Sequence, residues 1–151
     1  MKYLCFTIAA FLLASQTGSH AASPATTYIP AEQVSGAFDK GVPLLETGTY
    51  KIHASRREAP GMAEIHTRDT DIIYVLQGSA TIVTGGNAID AKMTASDELR
   101  GVDIIGGEIR QLTKGDVLVI PNGVPLRFTQ TSQPFLYYVV KATAPLAGGT
   151  Q

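Results

Sequence analysis

From residue 48 onward the hydrophobic positions come in short bursts. "TYKIHAS", "MAEIHT", "DIIYVLQ", "SATIVT", "EIRQLT", "DVLVIP", "PLRFTQ" and "FLYYVVKA" are rich in β-branched and aromatic residues, with Gly, Pro, Asp and Asn between them. Strands are favoured by such residues and ended by such punctuation, whereas helical periodicity is weak throughout. The spacing predicts an all-β domain, a sandwich or a jelly-roll barrel, because closing or doubling a sheet removes exposed edges. "FLYYVVKA" is apolar on both faces, which predicts a strand covered on both sides or one buried at a subunit contact.

Two segments depart from this rhythm. "PAEQVSGAFDKG" predicts a short helix with Pro30 at its start and Gly41 at its end. Val34, Ala37 and Phe38 recur at helical spacing and would cover the side or mouth of a sheet. Residues 85–107, "GGNAIDAKMTASDELRGVDIIGG", read as a long excursion between strands with a short helical turn around "SDEL". Such an excursion is either a binding loop or lid, or a cover for a sheet edge.

At the N-terminus, Lys2 precedes the apolar run "YLCFTIAAFLLA", and "SQTGSHA" closes with small residues. This is the pattern of a secretory signal peptide over residues 1–21. It is too short for a confident membrane span, so no membrane association is expected once it is removed. Residues 22–47 then form a leader and the short helix, and residues 48–151 the β domain. The expected location is periplasmic or secreted. The one cysteine, Cys5, would leave with the signal, so core packing must supply the stability. A net charge of −1 with scattered charges gives no nucleic-acid footprint. Arg56 and Arg57, the densest basic pair, read as surface residues.

The candidate chemistry lies in "PGMAEIHTRDTDIIYVLQG". On a strand, Glu64 and His66 point to one face, and Asp71 begins the next strand and can return to that face. Without a metal ion, Glu64 and Asp71 in proximity would repel and raise one carboxyl pKa. His53 shares parity with Lys51 and Ser55. It faces outward, or it lines a polar interior.

These residues resemble the first motif of the cupin superfamily. Glu64 and His66 stand at the two histidine places, Asp71 at the acidic place, Gly61 near the opening glycine and Gly78 at the closing one. "KGDVLVIPNGVPLRFTQ" resembles the second motif, with Gly115, Pro121 and Gly123 in register. Leu126 stands where a fourth ligand, a histidine, is usual, and Gln130 where asparagine is common. The resemblance spans residues 48–141 and implies a cupin-like jelly-roll barrel with a short N-terminal helix.

It also implies a metal set of Glu64, His66 and Asp71, a ligand field suited to iron(II), manganese or zinc. Leu126 removes one donor. A homodimer is expected from the family, with Phe135, Tyr137 and Tyr138 as an aromatic cluster. Ile73, Val75, Leu126 and Phe128 would give the cavity an apolar wall. The expected partner is a small-molecule ligand or substrate. Three functions stay open: a metal-dependent enzyme on an organic metabolite, a metal-free ligand-binding or sensor domain, and an inert structural domain.

Overall fold

The computed structural model describes residues 25–145. The expected signal peptide lies outside them. Among the described residues no helix is long and apolar enough to cross a membrane.

The helix forms as expected. α1 spans Ala31–Lys40. Pro30 precedes it in extended backbone, and Gly41 ends it at φ 66°, donating its N–H to Ala37 O. Ala37 is buried, and Phe38 meets the Tyr138 ring edge-on at 4.9 Å.

Among the described residues thirteen strands follow: β1 (Pro43–Glu46), β2 (Tyr50–Arg57), β3 (Ala63–His66), β4 (Asp69–Gln77), β5 (Ser79–Thr84), β6 (Asn87–Ile89), β7 (Lys92–Ala95), β8 (Glu98–Gly101), β9 (Asp103–Ile105), β10 (Glu108–Thr113), β11 (Val117–Ile120), β12 (Leu126–Thr131) and β13 (Phe135–Thr143). One sheet has the order β1-β2-β13-β4-β11, a second β10-β5-β12-β3-β8-β7, and β6-β9 is a separate ribbon.

This arrangement corrects the expectation of a barrel. A barrel requires hydrogen bonding to run continuously around the circumference. Here each sheet ends in edge strands, β1 and β11 in one and β10 and β7 in the other, so the two sheets form an open sandwich. The edges are short: β1, β7 and β11 have four residues each. Brevity limits the length of unpaired backbone that an open edge presents.

The core lies between the sheets and includes Ile73, Val75, Ile82, Leu126, Phe128, Phe135, Tyr137 and Val139. Alternation along two neighbouring strands decides where apolar packing stops. The inward residues of β4 run Asp69, Asp71, Ile73, Val75, and those of β13 run Phe135, Tyr137, Val139, Lys141. The antiparallel register sets Val139 beside Ile73 and Lys141 beside Asp71. One end of the sandwich is therefore apolar and the other ionic.

β13 is apolar on both faces for reasons internal to the chain. Phe135 and Tyr137 are in the core, and Tyr138 lies under α1. Phe135, Tyr137 and Tyr138 are thus packed within the chain.

Residues 85–107 are also more regular than expected. They contain β6 to β9, and the helical turn expected around "SDEL" is a tight turn leading into β8.

Candidate functional site

The site begins with β3, whose inward residues are Glu64 and His66. β12 pairs on one side of it, with Leu126 opposite Glu64. β8 pairs on the other, with Arg100 opposite Glu64 and Glu98 opposite His66. Cross-strand neighbours of opposite polarity support one another, so the charge pattern of β8 suits its place beside β3. At the end of β3, the N–H of Gly123 donates to His66 O at 2.8 Å, from a backbone at φ 80° that favours glycine.

Donor atoms of Glu64, His66 and Glu98 lie within 4.8 Å of one another. One oxygen of each glutamate is held by arginine. Arg57 Nη2 donates to Glu64 Oε1 at 2.8 Å, and Arg100 Nη1 lies 3.0 Å from the same oxygen. Arg100 Nε pairs with Glu98 Oε1. Glu64 Oε2 is directed toward His66 Nε2, 3.8 Å away. Two hard oxygen donors and one imidazole nitrogen fit a divalent ion, and three protein ligands leave positions open for water or substrate.

Asp71 contacts the other side of the histidine. Its Oδ2 is 3.1 Å from His66 Nδ1, and its Oδ1 accepts a 2.7 Å hydrogen bond from Lys141 Nζ. Lys141 Nζ is also 3.2 Å from His66 Nδ1 and 3.3 Å from Nε2. Burial would raise the Asp71 pKa, but hydrogen bonding from His66 and the charge of Lys141 outweigh it and hold the carboxyl below its ordinary value. Asp71 is therefore not a carboxyl of the acidic pair whose pKa rises. Each acid has its own cation, Lys141 for Asp71 and both Arg57 and Arg100 for Glu64.

Arg57 anchors the opposite wall. Its guanidinium lies 4.4 Å from the Phe128 ring centroid, and its Nε donates to Tyr137 Oη at 3.0 Å. Burial alone would lower its pKa, yet the neighbouring Tyr137 and Glu64 raise it. Burial pushes the Tyr137 phenol upward, against the opposing influence of Arg57. Arg57 is therefore a half-buried cation held by Phe128, Tyr137 and Glu64, which corrects its reading as a surface residue. Arg56, pointing the other way along β2, pairs with Glu58.

These groups surround a cavity of about 250 Å³, with Ile73, Leu126, Phe128 and Val139 as its apolar wall. His53 lines it too, with Nε2 2.9 Å from Glu46 Oε1 at the rim. Of the expected residues, Glu64 and His66 come together in the donor cluster, while Asp71 sits behind the histidine. Glu98, Arg100, Arg57 and Lys141 went unrecognised in the sequence. Their signal was parity: each lies on the inward face of its strand, Lys141 at the ionic end of the sandwich and Arg57 beside Phe135 toward the apolar one.

A sequence profile of the cupin family matches residues 19–147. Among curated proteins no sequence match is found. Solved structures of similar shape include a Bacillus halodurans protein, at TM-score 0.56 and 14% identity, covering 85% of this chain and 89% of that one. Hydroquinone 1,2-dioxygenase from Sphingomonas sp. TTNP3, with 4-hydroxybenzoate bound, gives TM-score 0.51 and 14% identity over 70% of this chain and 66% of that one. A Klebsiella pneumoniae protein with a double-stranded β-helix domain gives TM-score 0.50 and 18% identity over 71% and 87%. At these identities the likeness extends to the fold alone.

Proposed function

The chain belongs to the cupin family, and from that premise we propose that it binds a small molecule at a divalent metal centre held by Glu64, His66 and Glu98. The observation carrying this reading is the convergence of those three donors within 4.8 Å. Arginine contacts on the outer oxygens favour it, because partners behind a ligand fix its orientation. We assign Asp71 to the same kind of role. A proton on His66 Nδ1, shared with Asp71, turns the Nε2 lone pair toward the glutamates.

When bound, the ion would act as a Lewis acid toward an oxygen of the ligand. The chain's own contribution is separate. Arg57 and Arg100 restrain the glutamates, Phe128 and Leu126 limit water on one side, and Lys141 balances Asp71.

A second reading has its own observation. Lys141 already places a cation beside His66 and Asp71, which favours a metal-free ligand pocket. Metal titration of tag-free protein, followed by elemental analysis, separates the two. The metal reading expects about one manganese(II) or zinc per chain. It also expects affinity at least about tenfold weaker in Glu98→Gln, the size typical of losing a supporting or ligating group. No bound metal in the wild type would favour the metal-free pocket, and one ion per chain held as tightly in Glu98→Gln would remove Glu98 from the ligand set.

A further inference from the structure

Counting charge around the cavity leads beyond the identity of the ligands. Arg57, Arg100 and Lys141 face Glu64, Asp71 and Glu98, so three cations oppose three carboxylates and the wall is balanced before any ion enters. The pairing is intimate as well as numerical. Lys141 lies 2.7 Å from Asp71, while Arg57 and Arg100 lie 2.8 and 3.0 Å from Glu64. A divalent ion would leave a twofold positive excess in a partly enclosed site, and uncompensated charge away from water is costly.

The adjoining cavity has more acids, but they are already matched. Asp69 is 2.7 Å from Lys51, Asp97 is 3.7 Å from Arg68, and Glu46 at the rim is paired with His53 and 55% exposed. Matched or solvated acids offset little of a charge placed deeper in the site.

Resting on the metal reading above, we infer that the ligand completing this site is an organic anion, a carboxylate with a compact apolar body. Two features of the walls match it. Arg57 uses Nε for Tyr137 and Nη2 for Glu64, and Arg100 uses Nε for Glu98 and Nη1 for Glu64. Those pairs leave Arg57 Nη1 and Arg100 Nη2 as further donors, and guanidinium groups favour planar carboxylates. The same cavity has Ile73, Leu126, Phe128 and Val139 as apolar lining, and about 250 Å³ limits the body to a small molecule.

Ion and anion therefore bind as a coupled pair, and linkage makes the coupling reciprocal. Isothermal titration of manganese(II) into the full chain tests this in benzoate, with benzamide as the neutral counterpart of the same shape. Benzoate is expected to tighten manganese(II) binding by about tenfold, with little effect from benzamide. Arg57→Gln should reduce that enhancement to about twofold or less, and Arg57→Lys, which keeps the charge but loses the planar fork, should fall between Arg57→Gln and wild type. Manganese(II) binding that is equally tight in benzoate and benzamide would overturn the anion inference and leave the metal centre standing. No manganese(II) binding in any condition would overturn both. Should Arg57→Gln fail to fold, the benzoate and benzamide comparison on wild type decides alone.

Discussion

Asp69 and Asp71 stand two positions apart on the inward face of β4, and each has a lysine within 2.7 Å. Asp69 shows what such a pairing does to stability. Burial would raise its pKa, but hydrogen bonds from Lys51 and Thr143 outweigh that and hold it below the ordinary 3.8. A carboxyl held low in the folded state contributes stability above its unfolded value. That contribution disappears as pH falls through the lowered folded value. Asp69→Asn should therefore cost about 1–2 kcal/mol near neutral pH. In urea unfolding followed across pH, the gap to wild type should close once the pH drops below the carboxylate range. A gap that stays constant into acid would mean that Asp69 acts through packing. At this scale the sequence was half legible. Strand alternation placed Glu64 and His66 on one face, because parity is a local property. It gave no hint that Lys141 is buried and Arg57 half-buried, since the burial of a charge depends on the partner that a distant strand brings to it.

Among the elements, β8 matters most to the site, because it carries Glu98 and Arg100 to the side of β3. Its docking depends on Gly101, opposite Ala63, where an added Cβ would lie 2.7 Å from Ile89 O. Backbone cannot yield as a flexible side chain can, so Gly101→Ala should displace β8. The expected cost is about 1–3 kcal/mol, the usual range for overpacking. Metal affinity should fall with it while the main core stays intact, which near-ultraviolet circular dichroism and a parallel metal titration would show together. Unchanged affinity in a destabilised variant would detach β8 from the metal centre. The excursion holding β8 was visible in the sequence as a break in rhythm, with glycine pairs at both ends. Its pairing was not visible, since "DELRG" alternates too briefly to distinguish a strand from a turn of helix. The helix α1 was legible because its limits are set locally, by Pro30 and the left-handed Gly41.

Across the molecule, the two sheets pack as an open sandwich whose polarity changes from one end to the other. Sequence motifs located the family and its glycines. Gly78 illustrates why: at φ 80°, a Cβ there would lie 2.0 Å from Ser132 Oγ and 2.8 Å from Pro134 O. Such constraints leave a spacing that survives in the sequence. Barrel closure leaves none, because it depends on hydrogen bonding between edge strands far apart in the chain, and among the described residues the edges stay unpaired. The ligand set is a similar case. With Leu126 at one customary position, the third donor comes from a strand outside both motifs.

The most direct measurement is anomalous diffraction from a crystal soaked in manganese(II). A single peak bounded by Glu64, His66 and Glu98, with Asp71 still joined to Lys141, is the predicted result. A peak against Asp71 with Lys141 displaced, or none at this end of the sandwich, would contradict the assigned centre.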